Sequence, residues 1–343
     1  MDYINYVKEY PIQGTIGLGG GAASLLMTSG GVKAEVFRGN RGFAGMGNEG
    51  SPYAVANIRY FNLSSTGNAS SFGNLTVARR NGAGVSGGGG ETATRGIWGA
   101  GAGADPPGPW GIVYNILDYI TIANTGNATD FGDLNWAGDN IGGAVSNGIR
   151  GVLSNGFNYH YSSAYLACGR MDYYEIATTG NATNYGNLGS PSPSYLYWGS
   201  ACGSDEGRGL FGALAGSCNN CIYYINIPTT GDASNFGNLT QRHPTASCSD
   251  GSRGTWWGNG DNATIDYVTI ATTSSSSDFG DMNPGVNYAC GVANDTWGTV
   301  SGGNNDDGYK SDIQYVTIQT TGNAQNFGNL GVSRNYSNSF SGD

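Results

Sequence analysis

The residues of this chain that could do chemistry are few. Two histidines, His160 and His243, are present. An oxidase-type copper site on a β scaffold needs paired histidines beside tyrosines, and these two stand in unrelated sequence contexts. Cys218 and Cys221 form a CxxC pair. Without a second pair the spacing does not complete a zinc site, and a local disulfide is the remaining reading. Asp-Phe-Gly occurs at 130–132 and 278–280. It matches the metal-holding triplet of protein kinases, yet the catalytic-loop signature of those enzymes is missing. The run GLGGG at 17–21 completes neither nucleotide-loop fingerprint. SCSDG at 247–251 is a partial likeness to the acidic turn boxes of sialidases. No catalytic residue is assigned, the chain is read as a non-enzyme, and neither a metal nor a cofactor is expected.

The Asp-Phe-Gly triplets belong to a repeat. TGNATDFGDL at 125–134 returns as TGNASSFGNL (66–75), TGNATNYGNL (179–188), TGDASNFGNL (230–239), TSSSSDFGDM (273–282) and TGNAQNFGNL (321–330). Each copy follows a short run rich in Ile, Val and Tyr, such as LDYITI (117–122) and IDYVTI (265–270), which has strand character. The tyrosines of those runs are Tyr60, Tyr119, Tyr173, Tyr224, Tyr267 and Tyr315. The following aromatics are Phe72, Phe131, Tyr185, Phe236, Phe279 and Phe327, always 12 positions later. The glycosylation sequons at Asn68, Asn127 and Asn181 fall inside the repeated turn, where Gly and Asn are explained by turn geometry without sugar.

Two more elements recur upstream. An Arg-Gly strand starts at Arg41, Arg95, Arg150, Arg208 and Arg253 and decays to DTWG at 295–298. The in-register arginines are expected to hold neighbouring turns rather than to form a cationic ligand ring. Before it lies a small-residue strand, as in GAGVSGG (82–88) and YACGVAN (288–294), suited to crowding around a central channel. Cys202, Cys248 and Cys290 sit in these strands where Ala or Val stands elsewhere, which reads as packing. The six units are 59, 54, 51, 43 and 48 residues apart, about 51 on average. Several strands per unit at this period predict an all-β β-propeller.

Composition agrees. Of 343 residues 61 are Gly, and only 12% are charged. Aromatic content excludes a disordered Gly-rich linker, and the absence of a Gly-X-Y period excludes collagen. A net charge of −10 disfavours nucleic-acid partners. No apolar run approaches the ~20 residues that span a bilayer, so no membrane insertion is expected, and the N-terminus lacks the pattern of a signal peptide.

The division is read as 1–21, a closing segment or an arm, and 22–343, the propeller. The first small-residue strand is AASLLMTSG (22–30). Residues 1–21 and 331–343 are left over. MDYINYV resembles a Tyr strand and SRNYSNSFSGD a first strand, so the remainders favour a seventh blade over a closed ring of six.

Between the Arg-Gly and Tyr strands the connections vary, and two are long and aromatic. AGADPPGPWGIVYN (102–115) carries Trp110 and Tyr114; GFNYHYSSAYLACGR (156–170) carries Tyr159, His160, Tyr161 and Tyr165. Variable loops on a rigid scaffold often carry recognition, and exposed Tyr and Trp suit sugar stacking or protein anchoring. These six residues are the candidate ligand-binding set.

The order of a small-residue strand, an Arg-bearing turn, a glycine-bounded aromatic strand and a Tyr strand resembles the kelch repeat over 22–343, although the kelch Gly-Gly doublet is loosened and the Tyr-to-aromatic spacing is longer. The tandem IDYVTIATTGNATDFGDL-type unit is similar to repeats of kelch-like structural proteins of tailed bacteriophages, especially those of cyanobacteria and other aquatic hosts. That resemblance implies a virion component of a tail fibre, baseplate or other exposed appendage. It would be made in the host cytoplasm and released by lysis, with other virion proteins and a host surface glycan or receptor as partners. A cellular carbohydrate-binding or matrix propeller is the alternative, and a propeller hydrolase or oxidase stands last. Oligomeric state is not legible.

Overall fold

The computed structural model describes residues 39–50, 53–88, 93–103, 112–139, 143–154, 156, 169–188, 200–204, 207–212, 218, 220–241, 243–244, 246–258 and 262–342; residues 200–204 are described by their backbone. Five sequence units each fold into a four-stranded antiparallel sheet, and the first shares its sheet with a C-terminal strand, giving six such sheets among the described residues. Blade 2 shows the plan: Ala83–Gly87, Arg95–Gly99, Ile116–Thr121 and Thr129–Asp133, each paired with the next. Blades 3, 4, 5 and 6 repeat it over Gly143–Asn187, Ser200–Asn238, Ala246–Asp281 and Cys290–Asn329.

The small-residue strands are the inner ones. The strands 83–87, 143–146, 200–204, 246–249, 290–293 and 338–342 each contact the next, and the last returns to the first. Large side chains would hold these backbones apart. The ring therefore has six members, and the molecule is a six-bladed β-propeller.

This corrects two expectations. The seventh blade is not formed. Instead Asn338–Gly342 pairs antiparallel with Arg41–Gly45 and supplies the inner strand of blade 1, whose other strands are Val55–Asn62 and Ser70–Arg79. The C-terminal remnant is a first strand, as its sequence suggests, but it belongs to blade 1. It also occupies the slot expected for AASLLMTSG, which, like MDYINYV and the whole of 1–21, lies outside the described residues. One sheet built from both ends of the described chain closes the ring and leaves no open inner edge.

The core lies between blades. Six apolar clusters fill the six interfaces, and each is centred on one aromatic of the repeat: Phe72, Phe131, Tyr185, Phe236, Phe279 or Phe327. Each is buried and meets its own blade's tyrosine edge-on, with centroids 5.7–6.2 Å apart. The constant 12-residue spacing follows: it carries the chain up the third strand, around one turn and back to place the second ring against the first. Burying an aromatic of this kind stabilises the interface by about 1.5–3 kcal/mol.

Candidate binding face

Antiparallel pairing puts the connections on two faces. One bears the turns between inner and second strands and between third and outer strands. The other bears the connections from second to third strand and the crossovers to the next blade.

On the turn face the repeat is used up in holding blades together. The Thr-Gly-Asn-Ala turn of one blade lies along the outer strand of the blade before it. In blade 2, Gly126 N donates to Phe72 O (3.0 Å) and Ala128 N to Asn74 O (2.8 Å), while Asn127 Oδ1 accepts from Asn74 N (3.0 Å). Gly180 and Ala182 repeat this on Phe131 and Asp133, and Gly67 and Ala69 carry it across the seam to Phe327 and Asn329. Gly132 has φ +145°, and a Cβ there would overlap the carbonyl of Gly180. The arginines act alongside. Arg41 donates to Ile122 O and Ala123 O, Arg95 to Ile176 O and Ala177 O, and Arg208 to Ile270 O and Ala271 O. Arg150 and Arg253 reach the same place in the next blade. Each guanidinium also lies over its own blade's tyrosine, 4.2–5.9 Å from the ring centroid. At the seam Trp297 replaces the arginine, and Asn294 Nδ2 donates to Leu63 O instead. These groups face neighbouring backbone.

The acidic turn box dissolves in the same way. Asp250 Oδ1 accepts from Ser252 N (2.9 Å) and Arg253 N (2.8 Å), and Asn147 and Asn294 do the same in blades 3 and 6. Burial alone would push the Asp250 carboxyl up, but the amides of Arg253 and Ser252 and the Gln319 side chain hold it below the usual carboxylate range. Among the described residues no three His, Cys, Asp or Glu side chains converge as metal ligands do.

The loop face differs from blade to blade. Around the inner mouth the crossovers are joined in series: Tyr336 N donates to Tyr288 O (2.8 Å) and Asn81 N to Tyr336 O (3.1 Å). Tyr288, Tyr336 and Asn81 all have positive φ, which turns the chain into the inner strand. Their side chains form a polar and aromatic cluster. Tyr288 and Tyr336 stack at 4.3 Å, the Arg80 guanidinium is 6.0 Å from the Tyr336 centroid, and Asn81 Nδ2 donates to the buried Asp139 carboxylate (2.7 Å). Burial, then the charge and hydrogen bond of Tyr288, push the Tyr336 phenol up. Farther out, Tyr53, Ile112 and Tyr309 are 61%, 50% and 37% exposed. They stand on the second-to-third-strand connections of blades 1, 2 and 6, which adjoin across the seam, and Tyr309 lies over Gly50.

Of the sequence candidates, Tyr114 is on this face, half-buried against Gly103. Trp110, Tyr159, His160, Tyr161 and Tyr165 lie outside the described residues. His243 stands in the crossover into blade 5, again with positive φ. Cys218 and Cys221 are joined by a disulfide with Cα atoms 5.4 Å apart, in the blade 4 connection. Cys248 and Cys290 are buried between blades. Sequence reasoning missed Tyr53, Tyr309, Tyr288 and Tyr336. The signal was available: Tyr53 and Tyr309 stand in variable connections, and Tyr288 and Tyr336 share an Asn-Tyr pair two residues before an inner strand.

No protein-family model matches the chain, and no curated protein matches it. Among solved structures, that of YjhT superposes with a TM-score of 0.61 at 9% sequence identity, covering 84% of this chain and 94% of that chain. At that identity the likeness is one of fold, the β-propeller.

Proposed function

We propose that this chain is a structural and adhesive propeller module that binds through its loop face. The reading joins two supports. The first is the resemblance of the tandem unit to kelch-like virion proteins of tailed phages, which implies an exposed appendage. The second, the observation that carries the argument, is the asymmetry of the two faces. The turn face spends its repeated side chains on neighbouring blades and exposes one large apolar side chain, Ile149, whereas the loop face leaves Tyr53, Ile112 and Tyr309 exposed on three adjoining connections. Amphipathic rings held on a rigid ring of sheets suit stacking on a pyranose, and the acidic chain favours a neutral sugar over a polyanion.

Immunogold labelling of phage particles with antibody to this chain tests the location: label on a tail appendage supports it, and label confined to host debris removes it. A glycan array tests the adhesion. Retention of neutral glycans that is lost in Tyr53→Ala or Tyr309→Ala supports the reading; a blank array would reduce the module to scaffold.

A further inference from the structure

The seam between blades 6 and 1 departs from the other blade interfaces at one position. Asp118, Asp172 and Asp266 stand at the same place in the third strands of blades 2, 3 and 5, directly after the bulge towards the outer strand. Gln314 holds that place in blade 6, where its Oε1 accepts from Asn283 N (2.7 Å). Each of these acceptors holds the end of the preceding blade's outer strand. Tyr223 takes the place in blade 4, and in blade 1 it falls to Arg59. The outer-strand end on the other side of that seam brings a second cation. Arg334 follows the box residue Leu330 by four positions, as Arg79 follows Leu75. One interface therefore sets Asp118 against Arg79, whereas the seam has Arg59 and Arg334 at the corresponding places.

Both arginines belong to the interior of the seam. Arg59, Phe61 and Leu63 share one face of their strand, and Phe61 meets Phe327 of blade 6 edge-on at 5.5 Å. Arg334 is fully buried. Its Nη1 donates to Met46 O (3.1 Å) and Asn57 O (3.2 Å), and its Nη2 pairs with Glu49 Oε1 (3.1 Å) and donates to Asn57 Oδ1. Glu49 is engaged a second time by Asn57 Nδ2 (3.0 Å). Nε of Arg59 and Nε of Arg334 are buried without an acceptor, and no carboxylate among the described residues pairs with Arg59. Nε of Arg79 also lacks an acceptor, but its guanidinium is matched by Asp118. Burial takes the Arg334 pKa down to about 10; the Glu49 charge opposes that shift, and the Arg59 charge adds to it. A buried donor with no acceptor, beside a cation with no counter-charge, costs free energy that a bound anion relieves.

We propose that this seam is an anion site, at which a small free carboxylate binds to Arg59 and Arg334 and takes the role that an aspartate has in blades 2, 3 and 5. Two guanidinium groups and the Glu49 carboxylate leave one positive charge at the seam. That admits one carboxylate and not a polyanion. Depth restricts the ligand further: Arg334 is fully buried and Arg59 half-buried, while the Glu49 side chain keeps 23% of its surface in solvent. The place is open at one side, which suits a small ion. The site also bears on closure, because Asn338–Gly342 joins blade 1 at this same seam. An ion tying the end of the blade 6 outer strand to the third strand of blade 1 binds the closed ring and not the unfolded chain, so it stabilises the fold by mass action.

This inference stands on the two arginines and not on the exposed rings, so a blank glycan array leaves it untouched. The test melts the full chain at neutral pH in sodium acetate and in sodium chloride of equal ionic strength. Wild type should melt higher in acetate, by about 2 °C or more. Arg59→Met should lose that difference, which separates a site from a general salt effect. Arg59→Asp supplies the carboxylate of the other blades. It should show no acetate response and should melt in chloride no lower than wild type does. Equal wild-type midpoints in the two salts, or a difference kept in Arg59→Met, would overturn the proposal. So would an Arg59→Asp chain that fails to fold or melts below wild type in chloride, since the seam would then not accept a carboxylate at that place.

Discussion

At the scale of single residues, the repeated glycine of the Phe-Gly box is a contact surface. Gly132→Ala must displace the carbonyl of Gly180 and adopt φ +145°, and we expect a loss on the order of 2–4 kcal/mol in urea unfolding. Gly126→Ala, six positions earlier with nothing within 4 Å, should fall within about 0.5 kcal/mol of wild type. Equal effects at the two sites would contradict the clasp. The recurrence of this glycine was plain in the sequence. Its reason was not, because the group it must avoid belongs to the next repeat. Asp250 makes a second prediction at this scale. Its folded-state pKa lies below the ~3.9 of a free aspartate, so the unfolded chain binds more protons in between. The stability it supplies is present above that value and is lost as pH falls through the folded pKa. The gap between wild type and Asp250→Asn should therefore narrow as pH falls below the ~3.9 of a free aspartate. The change should be mild throughout, since Asn147 and Asn294 make the same turn.

At the scale of elements, the third strands of blades 2, 3 and 5 also hold the end of the preceding blade's outer strand. Asp118 pairs with Arg79 at 2.8 Å, both side chains fully buried, and accepts from Thr76 Oγ1 at 2.6 Å. Asp172 holds Asn135 in the same way, and Asp266 holds Thr240. Burial lowers the Arg79 pKa, while the Asp118 charge opposes that shift. Asp118→Ala strands a buried cation, and we expect a loss of about 3–5 kcal/mol in the urea midpoint analysis. Asp118→Ala with Arg79→Met should recover most of it; failure of the double variant to recover would show that Thr76, not the ion pair, carries the contact. The Asp-Tyr dipeptide was visible as a pattern, but the strand motif does not reveal that its carboxylate reaches across an interface.

At the scale of the whole molecule, closure rests on five residues. Removing 338–343 leaves Arg41–Gly45 with an unpaired edge and opens the ring, and Phe340 leaves its place between Phe43 and Trp98. The truncated chain should lose its cooperative thermal transition and aggregate, and a synthetic peptide of residues 331–343 added during refolding should restore the transition. The period announced a propeller, but six against seven blades could not be decided by dividing length by repeat. The answer depended on which strand SNSFSGD pairs with, a contact across nearly 300 positions. The proposed binding face is legible only in outline: the sequence points to two long aromatic connections, whereas Tyr53 and Tyr309 lie in other connections. The central claim is that binding resides on the loop face while the repeated turns are architecture. It is tested most directly by measuring retention on a neutral-glycan array for Tyr53→Ala/Ile112→Ala/Tyr309→Ala beside Thr125→Ala/Thr179→Ala, at matched melting temperature. The account predicts at least about a tenfold loss in the first, the 1.4 kcal/mol expected of a lost anchor, and wild-type retention in the second. Loss in the turn-face variant with retention in the loop-face variant would contradict it.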